Sequence, residues 1–149
     1  MRLILMRHAE AAPGYPDMQR QLTPYGLSTL ANLPLALRAE LQQVDRAYSS
    51  PYLRTRQTFE RLETGLESTL SDALVPESNP AEVCKLLQTL PESTTVLLVT
   101  HMPLVGWLSG YLQAGAGSPV FSFMPAQVEV LELDYPAAGL ASRVGGFDL

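Results

Sequence analysis

Three helix starts in this chain are written the same way. Thr23-Pro24, Ser50-Pro51 and Asn79-Pro80 each set a capping side chain directly before a proline. Proline suits the first helical position because the N–H it lacks would be unpaired there anyway. Each start follows a short strand-like segment: Arg2–Met6, Asp45–Ser49 and Ala73–Val75. A fourth such segment, Thr95–Val99, is the clearest buried strand and leads into a helix from about Pro103 to Leu112. Short apolar runs that alternate with helices need a sheet covered on both faces. The expected fold is therefore α/β, a three-layer sandwich with a mostly parallel central sheet. Residues 1–149 read as a single domain, a normal length for one.

The helices carry their apolar residues on one side. Leu27, Leu30, Leu37 and Leu41 mark the first, with Pro34 kinking or interrupting it. Leu53, Phe59, Leu62 and Leu66 mark the second, whose cap is Ser50. Val83, Leu86, Leu87 and Leu90 mark the third, with Glu82 placed to complete a capping box on Asn79. Trp107 and Tyr111 on the last helix read as core, and Tyr15 and Tyr52 as residues that could rim a pocket. A loop rich in Pro, Gly and Asp runs from about Ala11 to Leu22, and Gln127–Tyr135 with Ala141–Phe147 reads as a hairpin of later strands.

Charge narrows the partners. Fifteen acids against ten bases give a net charge of −5, and Lys85 is the one base that is not arginine. Such a chain is a poor binder of nucleic-acid backbone. Its longest aliphatic run, Val96–Val99, is far short of a membrane span, and Leu3–Met6 is too short for a signal-peptide core. Cys84 is the single cysteine, so neither an intrachain disulfide nor a cysteine-based zinc site is expected. These features point to a cytoplasmic monomer with no cofactor, no metal, and neither nucleic acid nor membrane as partner.

In open α/β sheets ligands bind beyond the carboxyl ends of the strands. The first strand here ends in Arg7-His8, the second in Ser49-Ser50-Pro51 with Arg54 just beyond, and the Val96–Val99 strand in Thr100-His101. Taken singly, an Arg-His pair is ordinary sequence, a histidine after a strand is commonly a packed residue, and Arg54 reads as a solvated helix residue. Together they are both histidines of the protein and two arginines on one sheet edge. That cluster suits phosphate. Guanidinium forks match phosphate oxygens, and neutral imidazole is a competent nucleophile toward phosphorus. Phosphoryl transfer asks chiefly for positioning and charge neutralisation.

The same residues resemble a known family, the histidine phosphatase (phosphoglycerate mutase-like) superfamily. The likeness is carried by Leu5-Met6-Arg7-His8-Ala9-Glu10, by Leu22-Thr23 with Gly26, by Ser49-Ser50-Pro51-Tyr52-Leu53-Arg54 with Gln57-Thr58, and by Val99-Thr100-His101. The Asp17, Arg20, Leu22, Thr23 stretch and His101-Met102-Pro103-Leu104-Val105-Gly106 look like its small SixA-type phosphohistidine phosphatase branch. The resemblance runs from Arg2 to about Leu112, and the final hairpin carries no motif.

That resemblance implies a phosphoglycerate mutase-like fold and a role for each matched residue. His8 is the nucleophile that becomes transiently phosphorylated. Arg7, Arg54 and His101 surround the phosphate, and Arg20 approaches as a weaker contact; Thr23 and Ser50 are better explained as helix caps, though Ser50 could cap and also lie near the phosphate. Larger relatives use a carboxylic acid on the leaving oxygen; Glu77 is the attractive candidate, with Glu10 and Glu82 poorer ones. The stretch between Arg54 and His101 is too short for the lid domain that mutases of the superfamily carry, so the site is expected to be open. An open site favours phosphohistidine on a signalling or phosphotransfer protein, handled without metal. The alternatives are a small-molecule phosphomonoesterase and a weakly active phosphate-recognition module.

Overall fold

A computed structural model describes residues 1–149. Six strands form one sheet in the order β3-β2-β4-β1-β5-β6. They are β1 (Arg2–Arg7), β2 (Arg46–Ser49), β3 (Thr69–Leu70), β4 (Thr95–Thr100), β5 (Val128–Leu133) and β6 (Ala141–Phe147). β1 to β4 run parallel, and the hairpin β5–β6 joins β1 antiparallel. The helices are α1 (Pro24–Ala31), α2 (Leu35–Leu41), α3 (Leu53–Arg61), α4 (Pro80–Leu87) and α5 (Leu104–Ala114). No helix is long and apolar enough to cross a membrane.

Strand side chains alternate between faces, so each strand feeds two cores. Leu3, Leu5, Val96, Leu98, Leu131 and Leu133 pack with Val83 and Leu87 of α4 and Leu104, Leu108 and Leu112 of α5. Ile4, Met6, Leu97, Val99, Val128 and Val130 pack on the other side with Leu30 of α1, Leu37 and Leu41 of α2, and Phe59 of α3. This is the three-layer α/β sandwich expected from the alternation. β3, a short 3-10 turn and α4 fill the stretch between α3 and β4, with no lid domain inserted.

Several local expectations are corrected. Ala73–Val75 is not a strand: Asp72–Leu74 forms the 3-10 turn, opened by Ser71 Oγ accepting from Ala73 N, and β3 lies just before it. Ser50 does not cap α3, which begins at Leu53 after Tyr52. Its hydroxyl instead accepts from Tyr52 N in a tight turn, so Pro51 falls outside the helix. α3 ends at Arg61, and Leu66 lies beyond it, exposed. Pro34 interrupts the first helical stretch and stands directly before α2. Asn79 caps α4 through Ala81 N and Glu82 N, but Glu82 turns away to Lys85 and leaves the capping box incomplete. Trp107 is exposed, because α5 buries Leu104, Val105, Leu108 and Leu112 and packs Gly106 and Gly110 against residues 118–121. A Cβ at Gly106 would run into the Phe121 carbonyl, so only glycine lets that segment cross the helix.

Candidate active site

Strand register assembles the site. Arg7 pairs with Thr100 and Ser49 with Val99, so the next residues, His8, His101 and Ser50, leave the sheet in one row. His8 N donates to Thr100 O at 3.0 Å and Ser50 N to Val99 O at 3.2 Å, which extends the ladder to these residues. The two imidazole rings lie 5.2 Å apart at 64°.

The residues after Arg54 hold the loop around His8. Thr58 Oγ1 accepts from Ala9 N at 3.1 Å and donates to Arg54 O at 2.8 Å. Gln57 Oε1 accepts from Leu22 N at 2.9 Å. At the start of α1, Thr23 Oγ1 accepts from Gly26 N and donates to Glu10 Oε2. Gly26 lies so close to the Glu10 backbone that a Cβ there would strike the carbonyl.

His8 is held in one tautomer. Its Nδ1 lies 2.7 Å from Ala9 O, and a carbonyl oxygen only accepts, so Nδ1 carries the proton. Arg54 Nε, which only donates, points at His8 Nε2 from 3.3 Å, so Nε2 presents a lone pair. Burial pushes the His8 pKa down to about 4; the Ala9 contact opposes this, and the charges of Arg54, Arg7 and Arg20 add to it. The ring is therefore neutral and nucleophilic at physiological pH.

His101 is 1% exposed, and its pKa is lowered to about 2 by burial first and then by His8, Arg54, Arg7 and Arg20. Its Nε2 lies 2.8 Å from Ser50 Oγ, while its Nδ1 is buried with no hydrogen-bond partner. Arg7 donates from Nη1 to Phe123 O at 2.7 Å, and its Nε is likewise buried without a partner. Unpaired buried polar atoms are uncommon and call for an explanation. Both here belong to residues expected to bind phosphate. The Tyr52 ring lies 5.0 Å from His101, with the Arg54 guanidinium 5.1 Å from the Tyr52 centroid.

Arg54 is 4% exposed and is also held from the loop. Its Nη1 donates to Asp17 O at 2.7 Å and its Nη2 pairs with Asp17 Oδ2 at 3.2 Å. Arg20 Nη1 reaches the other Asp17 oxygen at 3.1 Å, and its Nε donates to Ala12 O. The structure thus gathers His8, Arg7, Arg54 and His101 into one cluster, with Arg20 one residue removed through Asp17. Glu77 is exposed and makes no hydrogen bond to the cluster; its charge is felt at Tyr52, whose pKa is raised by burial and then by Glu77. Of the poorer candidates, Glu10 is engaged with Thr23 and Glu82 with Lys85.

Two participants are not among the expected site residues. Asp17 belongs to the Asp17, Arg20, Leu22, Thr23 stretch that carries the SixA-type likeness, but nothing in that stretch gives it a contact with Arg54. The segment from Phe123 to Gln127 closes the β1 end: Ala126 N donates to His8 O at 3.0 Å and Arg7 N to Gln127 O at 3.2 Å. Nothing in its composition announces that role.

Comparison with known proteins places this geometry. The model of the histidine phosphatase superfamily (branch 1) matches residues 3–75. The Escherichia coli phosphohistidine phosphatase SixA is 32% identical over 129 residues, covering 82% of this chain and 80% of its own. The SixA homolog of Haemophilus influenzae is 30% identical over 148 residues, covering 90% and 89%. A solved structure of the protein histidine phosphatase SixA complexed with tungstate superposes with a TM-score of 0.81 at 28% identity, covering 99% of this chain and 97% of that one. The chain therefore belongs to the histidine phosphatase superfamily, in its SixA-type branch.

Proposed function

We propose that this protein removes the phosphoryl group from phosphohistidine on another protein, through a phospho-His8 intermediate and without a metal. The observation that carries the reading is the His8 ring: neutral, locked by Ala9 with Nε2 bare, and set among arginines. The names of the two curated SixA relatives support the substrate class. One chain supplies every group of the site, so a monomer suffices, and residues 1–149 work as one domain around one sheet.

The chemistry runs in two displacements. His8 Nε2 attacks phosphorus, and the phosphorus–nitrogen bond of the substrate breaks. Substrate imidazole protonated on its other nitrogen leaves as a neutral molecule, so it needs little help from an acid. As the new bond forms, Arg54 keeps its proton and its Nε–H hydrogen bond shifts from His8 Nε2 to a phosphoryl oxygen. Arg7 and Arg54 neutralise the transferring oxygens, the task a cation would otherwise perform. Water then attacks phospho-His8, the Nε2–phosphorus bond breaks, and inorganic phosphate departs with the protons of the water. The Ala9 carbonyl serves both steps. By holding a proton on Nδ1 it exposes the nucleophile first, and it later lets His8 leave as neutral imidazole.

The deciding experiment compares a phosphohistidine-bearing protein with para-nitrophenyl phosphate and with a sugar phosphate, in buffer containing EDTA. Preferred turnover of the phosphoprotein, unaffected by EDTA, is the expected result. Faster turnover of the sugar phosphate would make the protein a small-molecule phosphomonoesterase. Absence of turnover with retained tungstate binding would make it a phosphate-recognition module. Restoration by Mg²⁺ or Zn²⁺ after EDTA would replace the arginine clamp with a metal mechanism.

A further inference from the structure

We propose that Ser50 is a positioning residue that sets the tautomer of His101, making its Nδ1 an N–H donor to the phosphoryl group. The inference rests on the phosphatase reading above for its purpose, but its evidence is the hydrogen-bond count at one buried hydroxyl.

Ser50 is fully buried, and its Oγ has two partners. One is Tyr52 N at 3.2 Å, a donor, so Oγ accepts there. The other is His101 Nε2 at 2.8 Å. A serine hydroxyl has one proton to give, and in this site His101 Nε2 is the acceptor available to take it. If His101 instead donated from Nε2, the hydroxyl proton would be left without an acceptor in a buried place, an arrangement folded proteins avoid.

The consequence falls on the other ring nitrogen. A ring kept neutral has one N–H, and with Nε2 accepting from Ser50 that proton sits on Nδ1. His101 Nδ1 is the ring atom with no protein partner. Turned the other way, Nδ1 would offer a lone pair to phosphoryl oxygens, which repel it. The site therefore uses two imidazoles in the same protonation form for opposite purposes. His8 is locked by a backbone carbonyl on Nδ1 and shows a lone pair at Nε2. His101 is locked by a hydroxyl on Nε2 and shows a donor at Nδ1. A hydroxyl in that place can do what an apolar side chain cannot.

The chain has only two histidines, which makes the test direct. Ring ¹⁵N shifts of the untagged protein, uniformly labelled, report both tautomers, and the His101→Asn variant assigns them. Nδ1–H at His101 in the wild-type protein is expected; Nε2–H there overturns the proposal, and His8→Asn supplies the same assignment should His101→Asn fail to fold. Kinetics are read on phosphoramidate as a small phosphorus–nitrogen substrate. Ser50→Ala should convert His101 to a mixture of tautomers and lower kcat by about tenfold or more, with the ~10²–10³ expected for losing a donor outright as the upper bound. Ser50→Thr should recover most of the loss. In the His101→Asn background, where the amide still offers a donor near the Nδ1 position, Ser50→Ala should have no further effect. An equal loss in both backgrounds would make Ser50 a structural residue only. Failure of the phosphatase reading shows separately, as a wild-type protein that neither hydrolyses phosphoramidate nor binds tungstate while the tautomer stands.

Discussion

Asp17 holds Arg54 by two atoms at once: its backbone carbonyl accepts Nη1 at 2.7 Å while its carboxylate pairs with Nη2 at 3.2 Å. The second carboxylate oxygen pairs with Arg20. An acid thus sits on the two arginines that an incoming phosphoryl group would use. The backbone contact aims Arg54 without help from the charge. The carboxylate does something different, since it repels an anion and competes for Arg20.

Removing that charge separates the two effects. Asp17→Asn keeps the carbonyl contact and deletes the ion pair, so vanadate should bind about 3–10-fold more tightly, or about 0.7–1.4 kcal/mol at solvent-like dielectric. The measurement is inhibition by vanadate at fixed ionic strength. Stability should change by no more than ~1 kcal/mol, because the Asp17 side chain is half exposed. Weaker vanadate binding would mean that the carboxylate, not the carbonyl, aims Arg54.

The covalent step makes the sharpest demand on His8. His8→Ala should show no turnover of a phosphohistidine protein, and the acid-labile phosphoenzyme trapped in wild-type protein should be missing. Arg54→Ala and His101→Ala should each retain activity reduced by about 10²–10³, the usual cost of losing one transition-state donor. Rapid-quench measurement of the phosphoenzyme distinguishes the two classes. Substantial turnover in His8→Ala would remove the intermediate from the mechanism.

The central strands and their order of appearance were legible because buried parallel strands leave continuous apolar runs, as in Thr95–Val99. The candidate site was legible where it meets those strands: Arg7 ends β1, His8 and His101 directly follow β1 and β4, and the pairing of Arg7 with Thr100 aligns them. It was less legible on loops. Asp17 and the Phe123 carbonyl act through backbone atoms or across long separations, and neither leaves a periodic trace. Ser50 was misread for a related reason. Ser-Pro at the end of a strand looks like a helix cap, yet its hydroxyl closes a turn at Tyr52 and faces His101 from another strand, a partnership visible only in three dimensions.

Acid should expose how the two histidines are buried. Unfolded, each titrates near 6.5; folded, His8 is lowered to about 4 and His101 to about 2, in both cases chiefly by burial. Below pH 6.5 the unfolded chain therefore binds protons that the folded one refuses. The associated stability is complete above pH 6.5 and is lost as pH falls, by up to ~1.4 kcal/mol per pH unit for each histidine. Urea unfolding at pH 7 and pH 5 in phosphate-free buffer measures it. His8→Asn and His101→Asn should each flatten the dependence by about one histidine's share. Equal slopes in all three proteins would show that the rings protonate freely in the folded state.

Glu77 tests the substrate class. General-acid assistance is worth ~10²–10⁴ in rate and matters most for a poor leaving group. Imidazole leaves phosphorus readily, whereas an alkoxide must be protonated. Glu77 is exposed, forms no hydrogen bond or ion pair with the arginines, and its charge helps raise the Tyr52 pKa. Glu77→Gln should therefore leave single-turnover dephosphorylation of a phosphohistidine protein within about twofold of wild type, far below the acid-assistance range. Any slow hydrolysis of a sugar phosphate should drop much further if Glu77 swings in as an acid, and stay unchanged if it does not. The opposite pattern, a large loss on phosphohistidine beside efficient wild-type turnover of the sugar phosphate, would assign Glu77 as proton donor of a small-molecule phosphatase, because only an oxygen leaving group makes such an acid necessary.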